Sequence, residues 1–214
     1  MTIARGLARC LAAATLAAGC ATPAPRDEGM DAPAALRDAM VTPEMGSPHP
    51  GDVAPDFDLP RFGGGRVRLA ELRGKPVLLH FTATWCPYCR EEIAAIVVIA
   101  REVGGRAAVV LVDVKEGEAR WREYGASGGV AGNDSPLLVA LDDDGAVSAS
   151  YAPSRARPFL ERAEVPLAGT LLIDAAGIVR VYVLADNAQF DPTLSDVRAL
   201  FLSMVPEALP QVAV

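Results

Sequence analysis

Apolar runs and amphipathic segments alternate through the last three-quarters of this chain. Residues 75–82 and 107–114 are apolar almost throughout, as central strands covered on both faces are. Each run is followed by a segment that we predict to be helical, over residues 86–103 and 116–124, and the first of these ends at a glycine pair, as helices commonly do. This order predicts an α/β sandwich of three layers.

Shorter patterns complete the prediction. Residues 125–134 show no periodicity and are predicted to be a loop, and residues 142–145 form a turn signal of three acids and a glycine that lacks the other ligand positions of a calcium loop. The remaining predicted elements are a β-hairpin over 54–60 and 66–69, a strand over 137–141, a short inserted helix over 157–163, a hairpin over 169–174 and 178–184, and a last helix. That helix is predicted to be capped by Asp191, with Pro192 in its first turn and with an apolar face made of Leu194, Val197, Leu200, Phe201 and Met204.

The first nineteen residues indicate an export signal. Arg5 and Arg9 precede a short apolar stretch that ends in small residues, which is the layout of a secretory signal peptide. Residues 16–20 resemble the bacterial lipobox, in which the cysteine, here Cys20, is diacylated and becomes the first mature residue. The alternative is an ordinary signal peptide with an incidental cysteine. A lipid on Cys20 would anchor the protein without a membrane span, and Ala21 after it favours the outer membrane.

The organisation after the signal is a tether and one domain. Residues 20–50 are rich in Pro, Ala and small side chains, which predicts a flexible tether, with a loose helical turn or two over 34–40. Residues 51–214 have the length of one domain. The net charge of −7 becomes −9 when the signal is removed, because two arginines and no acid leave with it, and this acidity argues against a nucleic-acid partner.

The cysteines point to redox chemistry. Cys10 leaves with the signal and Cys20 carries the predicted lipid, so Cys86 and Cys89 alone stay free to react. Two intervening residues at the start of a helix let two sulfurs come within bonding distance, and free N–H groups with the helix dipole stabilise a thiolate there. We therefore predict that Cys86 is the nucleophile and Cys89 the resolving thiol, with no further cofactor.

Two other interpretations of this pair are weaker. A structural zinc site needs four ligands, and the chain adds only His49 and His80, with no second cysteine pair. A structural disulfide normally closes a longer loop, because its stabilising effect grows with loop length. No metal site is predicted.

The motifs resemble those of the TlpA/ResA-type thiol-disulfide oxidoreductases of the thioredoxin superfamily. The matching stretches are GDxAPDFxL at 51–59, LRGKPV at 72–77, FTATWCPxCRxE at 81–92 and LLIDxxGxV at 171–179. The resemblance implies a thioredoxin-like three-layer α/β/α sandwich with a mixed central sheet and an N-terminal β-hairpin extension. It also implies an exported, membrane-tethered protein that exchanges disulfides with clients, often apocytochrome c or copper-site assembly factors, and with a redox partner.

Several positions differ from the family pattern, and others near the cysteines have expected roles. Ala168 stands where the family has a cis-proline facing the dithiol, and Pro166 is the residue we expect to supply it instead. His80 stands where the family commonly has Asn; it either assists proton transfer at Cys89 or is a buried neutral histidine bonded to backbone. Trp85 and Tyr88 are expected at the rim as client contacts. Pro87-Tyr88 is the glutaredoxin dipeptide, but nothing else in the sequence marks a glutathione site.

Two rival functions remain open from the sequence. A peroxiredoxin-like peroxidase is suggested by Phe81-Thr82 before a cysteine, although no proline precedes Thr82 or Thr84 in the required register. A copper(I) metallochaperone could use the two cysteines with a histidine, because soft ligands select copper(I), and Met40 and Met45 add a faint hint. The leading prediction is an oxidoreductase on the periplasmic side of the cell envelope.

Overall fold

The structure of the protein is a computed structural model that describes residues 32–39, 48–128, 136–152, 169–184, 191 and 193–207. The predicted signal peptide, Cys20 and the predicted inserted helix lie outside the described residues. The same holds for Ala168, and for Pro166 as the proposed cis-proline.

A mixed sheet of five strands forms the centre of the domain. Its order is β5-β4-β3-β6-β7; β3, β4 and β5 are parallel, and β6 and β7 are each antiparallel to the strand before them in that order. A separate antiparallel pair joins β1 to β2. The strands are β1 (Asp58–Pro60), β2 (Arg66–Arg68), β3 (Val77–Thr82), β4 (Ala108–Val114), β5 (Leu137–Asp142), β6 (Gly169–Ile173) and β7 (Val179–Leu184).

Helices and 3₁₀ turns cover both faces of this sheet. They are α1 (Ala34–Ala39), α2 (Pro87–Val103), α3 (Gly117–Gly128), α4 (Ala146–Tyr151) and α5 (Ser195–Met204), with 3₁₀ turns at Leu69–Leu72 and Gly104–Arg106. Of the described helices, none is long and apolar enough to cross a membrane.

Alternation along the buried strands divides the core in two. In β3, Leu79 and Phe81 belong to the cluster under the β1–β2 hairpin and α4, whereas Leu78 faces the cluster that contains α2, α5 and Trp121 of α3. Successive strand residues point to opposite faces, so a run that is apolar at every position serves both layers. The predicted three-layer thioredoxin-like sandwich with a mixed sheet and an N-terminal hairpin is confirmed.

The β6–β7 turn shows why one glycine is required. Gly177 has φ 86°, and a Cβ built on it would lie 0.6 Å from Nη1 of Arg73. That guanidinium donates to the carbonyl of Ala176 at 2.7 Å. The turn predicted over residues 175–177 therefore also binds Arg73, which follows β2 and the 3₁₀ turn at Leu69–Leu72.

Three helix predictions need correction. Helix α3 continues through Gly128, where we predicted a patternless loop from residue 125, and α4 was missed because it is a single short helix of six residues with no apolar repeat. Helix α5 begins at Ser195, not at Asp191, because Leu194 takes a left-handed conformation at φ 50°.

Asp191 nevertheless caps that helix from outside. Its carboxylate accepts hydrogen bonds from the backbone N–H groups of Thr193 and Ser195, both at 2.9 Å, and from their hydroxyls. These bonds lower the pKa of Asp191 to about 2, and the bond from the Thr193 hydroxyl has the largest effect.

Part of the predicted tether packs on the domain. Residues 34–39 form α1, and Ala32 and Leu36 are buried in the cluster beneath α2 and α5. A few apolar side chains are enough to hold this segment, although its composition is that of a linker.

Candidate active site

The two cysteines form a disulfide at the start of α2. Their Cα atoms are 5.3 Å apart, within the ordinary range for a bridge. Cys86 is the N-cap residue of the helix, in extended backbone conformation, and its Sγ accepts the backbone N–H of Cys89 at 3.3 Å. A sulfur thus occupies the position in which side-chain oxygens usually satisfy free helix N–H groups.

The local sequence explains this geometry. The N–H of Cys86 donates to the carbonyl of Ala83 at 3.1 Å, which closes the turn after β3, and the N–H of Arg90 donates to the carbonyl of Cys86 at 3.2 Å, which starts the helix. Pro87 occupies the first turn of α2, where its missing N–H costs nothing and its fixed φ suits a helix.

Both cysteines are buried in the disulfide form. Cys86 is 3% exposed and Cys89 1%, a difference too small to identify the attacking sulfur, so the assignment rests on the position of Cys86 at the helix cap. Trp85 is half-buried and packs against the hairpin-side core, which makes it less exposed than the rim position we predicted. The side chains of Pro87 and Tyr88 lie outside the described part of the structure.

His80 lies on β3, on the face of the sheet toward α2. Its Nδ1 is 2.9 Å from Oγ1 of Thr170 on β6, so its partner is a side-chain hydroxyl and not backbone. Burial lowers the pKa of His80 to about 3, and the ring is therefore neutral throughout the physiological range. A histidine with that pKa cannot exchange a proton near neutral pH as our hypothesis for Cys89 requires.

Glu92 is the titrating group in this region. Its Oε2 lies 3.7 Å from Nε2 of His80, and it is 7% exposed. Burial, followed by the charge of Asp191, raises the pKa of Glu92 to about 7. Residues three apart on a helix share a face, so Glu92 is a neighbour of Cys89 along α2. The motif match included Glu92, but only burial reveals its protonation behaviour.

A second buried carboxyl group lies below the loop that leads to Cys86. Asp113 of β4 is 0% exposed, and neither of its oxygens meets an N–H or O–H donor among the described residues. Its neighbour is the carboxylate of Glu116. Burial, and next the charge of Glu116, raise the pKa of Asp113 to about 9, so at neutral pH Asp113 is protonated and can donate to Glu116.

Glu116 in turn holds the active-site loop. Its carboxylate accepts the backbone N–H of Thr84, and its Oε1 accepts the Thr84 hydroxyl at 2.8 Å. The preceding residue, Lys115, has φ 59°, a left-handed conformation that is unfavourable for a residue with a side chain. Asp113, Glu116 and Thr84 therefore form a chain of contacts from the sheet to the loop two residues before Cys86, and sequence reasoning missed it.

The described side chains form no candidate metal site. Within the described ranges, no group of three or more His, Cys, Asp or Glu side chains is arranged to hold a metal ion. His49 pairs instead with Asp52, with Nδ1 to Oδ2 at 2.7 Å.

The fold and this site define a class of protein. A mixed sheet with a parallel β3–α2–β4 unit, and a cysteine pair that caps α2, is the arrangement of thioredoxin-like proteins with a Cys-x-x-Cys disulfide. The sequence profile of the AhpC/TSA family matches residues 50–182. The chain belongs to this family.

Curated relatives confirm the resemblance to the TlpA/ResA type. The thioredoxin-like protein YneN of Bacillus subtilis is 34% identical over 101 residues, which are 47% of this chain and 58% of YneN. The thiol-disulfide oxidoreductase ResA of the same organism is 32% identical over 130 residues, 60% of this chain and 64% of ResA. The chain thus spans less than two-thirds of the length of either relative.

A solved structure agrees with the fold. The solution structure of a protein from Bacteroides thetaiotaomicron, proposed to be a protein disulfide isomerase, matches with a TM-score of 0.60 and 25% identity. The match covers 74% of this chain and 91% of the other.

Proposed function

We propose that this protein is a thiol-disulfide oxidoreductase that exchanges disulfides with cysteine-containing client proteins. One observation supports this most directly: the Sγ of Cys86 accepts a helix N–H at the N-cap of α2 while bonded to Cys89. In the reduced protein the same N–H and the helix dipole stabilise a thiolate on Cys86. The relatives named above are similar in sequence and carry related names.

The reaction proceeds through a mixed disulfide. The Cys86 thiolate attacks one sulfur of a client disulfide, forms a new S–S bond and displaces the other client sulfur as a thiolate. The Cys89 thiolate then attacks Sγ of Cys86 and releases the second client sulfur, so that two electrons pass from the protein dithiol to the client. The reverse sequence oxidises a client dithiol, and both directions use the same residues.

Glu92 is our candidate proton acceptor for Cys89, because it lies three residues further along the same face of α2 and has a pKa of about 7. Attack by Cys89 requires loss of its thiol proton, and a buried carboxylate one helical step away with a pKa of about 7 is half ionised at neutral pH. His80 contributes by contacting Glu92 as a neutral ring. It is a positioning residue in this scheme and not the proton carrier.

Replacement of Glu92 by glutamine tests this step. We expect Glu92→Gln to lower the rate of release from the mixed disulfide about tenfold at pH 7 and to abolish the rise in rate with pH that ionisation of Glu92 produces between about pH 6 and 8. Stopped-flow measurement of client release across pH gives the result. Glu91→Gln, at an exposed position on the same helix, should keep the wild-type profile. A profile unchanged in Glu92→Gln contradicts the role.

The proposed location is the periplasmic side of the bacterial cell envelope. The export signal over residues 1–19 and the lipobox-like Cys20 support a lipid anchor, with the outer membrane slightly favoured. The redox partner is then a membrane or periplasmic protein, and apocytochromes c are candidate clients. Incorporation of a labelled fatty acid that is lost in Cys20→Ser would support the anchor.

The peroxidase and metallochaperone alternatives have less support. The disulfide partner of Cys86 is its near neighbour Cys89, a pair suited to dithiol exchange. Among the described residues, no third His, Cys, Asp or Glu side chain joins this pair in an arrangement that could hold a metal ion. Turnover of hydrogen peroxide by the purified protein with a reductant, or tight copper(I) binding by its reduced form, would favour these alternatives.

A trapping experiment tests the main proposal. Without Cys89 the mixed disulfide on Cys86 cannot be resolved, so Cys89→Ser should accumulate covalent client complexes in cells. Non-reducing electrophoresis should show them, and a reductant should release them. Cys86→Ser/Cys89→Ser is the matched control and should give none. Absence of complexes from the single variant, or equal amounts from both variants, would overturn the proposal.

A further inference from the structure

A small pocket with two arginines lies beside the active-site loop. It has a cavity volume of about 170 Å³ and is lined by Thr84, Arg90, Arg120, Glu123 and Tyr124. Sites for drug-sized ligands measure about 300–1,000 Å³, so this pocket has room for a single short side chain. It is formed by the loop before Cys86, the first turns of α2 and one face of α3.

Residues that lie before and after Cys86 in the sequence both line this pocket. Thr84 precedes Cys86 by two residues, and the N–H of Arg90 donates to the carbonyl of Cys86 at 3.2 Å. We therefore infer that a polypeptide whose cysteine is joined to Cys86 can bring residues that flank this cysteine to the pocket.

The walls of the pocket are held in place before anything binds. Tyr124 packs on the fully buried Trp121, with ring centroids 5.5 Å apart, and the guanidinium of Arg90 lies over the Tyr124 ring, 5.8 Å from its centroid. On the other side, Glu116 fixes both the N–H and the hydroxyl of Thr84. Such preorganisation lowers the entropy cost of binding.

The lining of the pocket is richer in positive charge than the chain as a whole. Arg90 and Arg120 stand against the carboxylate of Glu123, and the nearby carboxylate of Glu116 already accepts the N–H and the hydroxyl of Thr84. The whole chain has a net charge of −7. Arg120 and Glu123 form an exposed pair at 3.1 Å, and such pairs are weak enough to be exchanged. A guanidinium is suited to bind a carboxylate through two parallel hydrogen bonds.

We propose that this pocket binds the carboxylate of an aspartate or glutamate that lies a few residues from the exchanging cysteine of a client. This inference rests on the proposed disulfide exchange and adds a substrate preference to it. Arg90 and Arg120 are the specificity-determining residues. A client with lysine at the same place would bring a positive charge against both guanidinium groups and would be disfavoured.

The test uses three short synthetic peptides, each with one internal disulfide and with Glu, Gln or Lys three residues from one cysteine. The second-order rate constant for their reduction by the full chain, reduced beforehand and freed of reductant, is measured in a single turnover at 50 and 500 mM salt. We expect the Glu peptide to react about fivefold faster than the Lys peptide at low salt, with the Gln peptide between them. Because salt screens exposed charges, the ratio should fall at 500 mM.

Variants on α3 separate this pocket from the general charge of the protein. Arg120→Gln should bring the ratio toward one, and Arg120→Glu should favour the Lys peptide. The matched control is Arg122→Gln, because Arg122 is exposed, pairs with Glu118 and lies two residues away, on another side of the helix. It should keep the wild-type ratio.

The outcomes distinguish this inference from the proposed function. Equal rates for the three peptides with the wild-type chain would overturn the pocket and leave disulfide exchange intact. Equal effects of Arg120→Gln and Arg122→Gln would overturn it as well, since the preference would then come from overall charge. Failure of all three peptides to react would instead contradict the exchange activity itself.

Discussion

Cys86→Ser is expected to lower the rate of disulfide exchange by at least about a thousandfold, because an alcohol at the N-cap cannot form the covalent intermediate. The reason is specific to this site. The Sγ of Cys86 is the atom that accepts the N–H of Cys89, so the helix terminus stabilises negative charge there. Serine keeps the cap, and the fold should be preserved while the activity is lost.

Thiol labelling supplies the measurement and its control. In the reduced wild-type protein, iodoacetamide at pH 6 should modify Cys86 faster than it modifies a free cysteine, and Cys89→Ser should keep this fast labelling. Cys86→Ser should show only slow labelling of Cys89. Fast labelling in Cys86→Ser would assign the nucleophile to Cys89. Slow labelling of both wild-type cysteines would remove the enzymatic interpretation.

Asp113→Asn is expected to flatten the pH dependence of stability. The pKa of Asp113 rises from 3.8 to about 9 on folding, so the folded state binds its proton more tightly than the unfolded state does. The stabilisation from this proton is fully present below about pH 4 and is lost as the pH rises through about 9. The wild-type free energy of unfolding should therefore fall with pH across this window.

In Asp113→Asn, an amide N–H takes the place of the ionisable carboxyl O–H as hydrogen-bond donor. Its amide can donate to Glu116 as the protonated carboxyl does, and it does not ionise. We expect the difference in the free energy of unfolding between pH 5 and pH 8 to shrink by about 1–3 kcal/mol, less than the whole pKa shift would give, because buried sites relax when they become charged. Urea denaturation of the oxidised protein at several pH values measures this.

Neighbouring acids provide the control for Asp113. The charged groups that face it are Glu116 and, from the β5 turn, Asp142 and Asp143. Asp143 is exposed, and its charge contributes to the shift only after burial and Glu116, so Asp143→Asn should alter the slope slightly. An unchanged slope in Asp113→Asn would show that Asp113 is already ionised in the folded protein at neutral pH.

Much of the fold was accessible from the sequence because burial leaves a pattern. The runs over 75–82 and 107–114 became β3 and β4, and the glycine turn over 175–177 became the β6–β7 hairpin. Helix α4 and the start of α5 were not accessible. Helix α4 is too short to show a helical repeat of apolar residues. The start of α5 depends on the left-handed backbone conformation of Leu194, which a leucine in the sequence does not predict.

The candidate site was likewise only partly predictable from the sequence. Spacing and helix position identified Cys86 and Cys89, and the Trp85 side chain was placed near them but with more exposure than it has. His80 was singled out by its unusual place in the motif, yet the group that titrates near neutral pH is Glu92. Asp113 and Glu116 carried no signal at all, since acids near strand ends are common.

The sequence by itself determined the class of fold, the cysteine pair and its place at a helix start, because hydrophobic periodicity and motif spacing are local properties of the chain. Only the tertiary structure decided which acids are protonated, which loop they hold and which two arginines line one pocket. Those properties depend on burial and on contacts between β4, α2 and α3, and residues far apart in sequence set the local dielectric and charge only after the chain has folded.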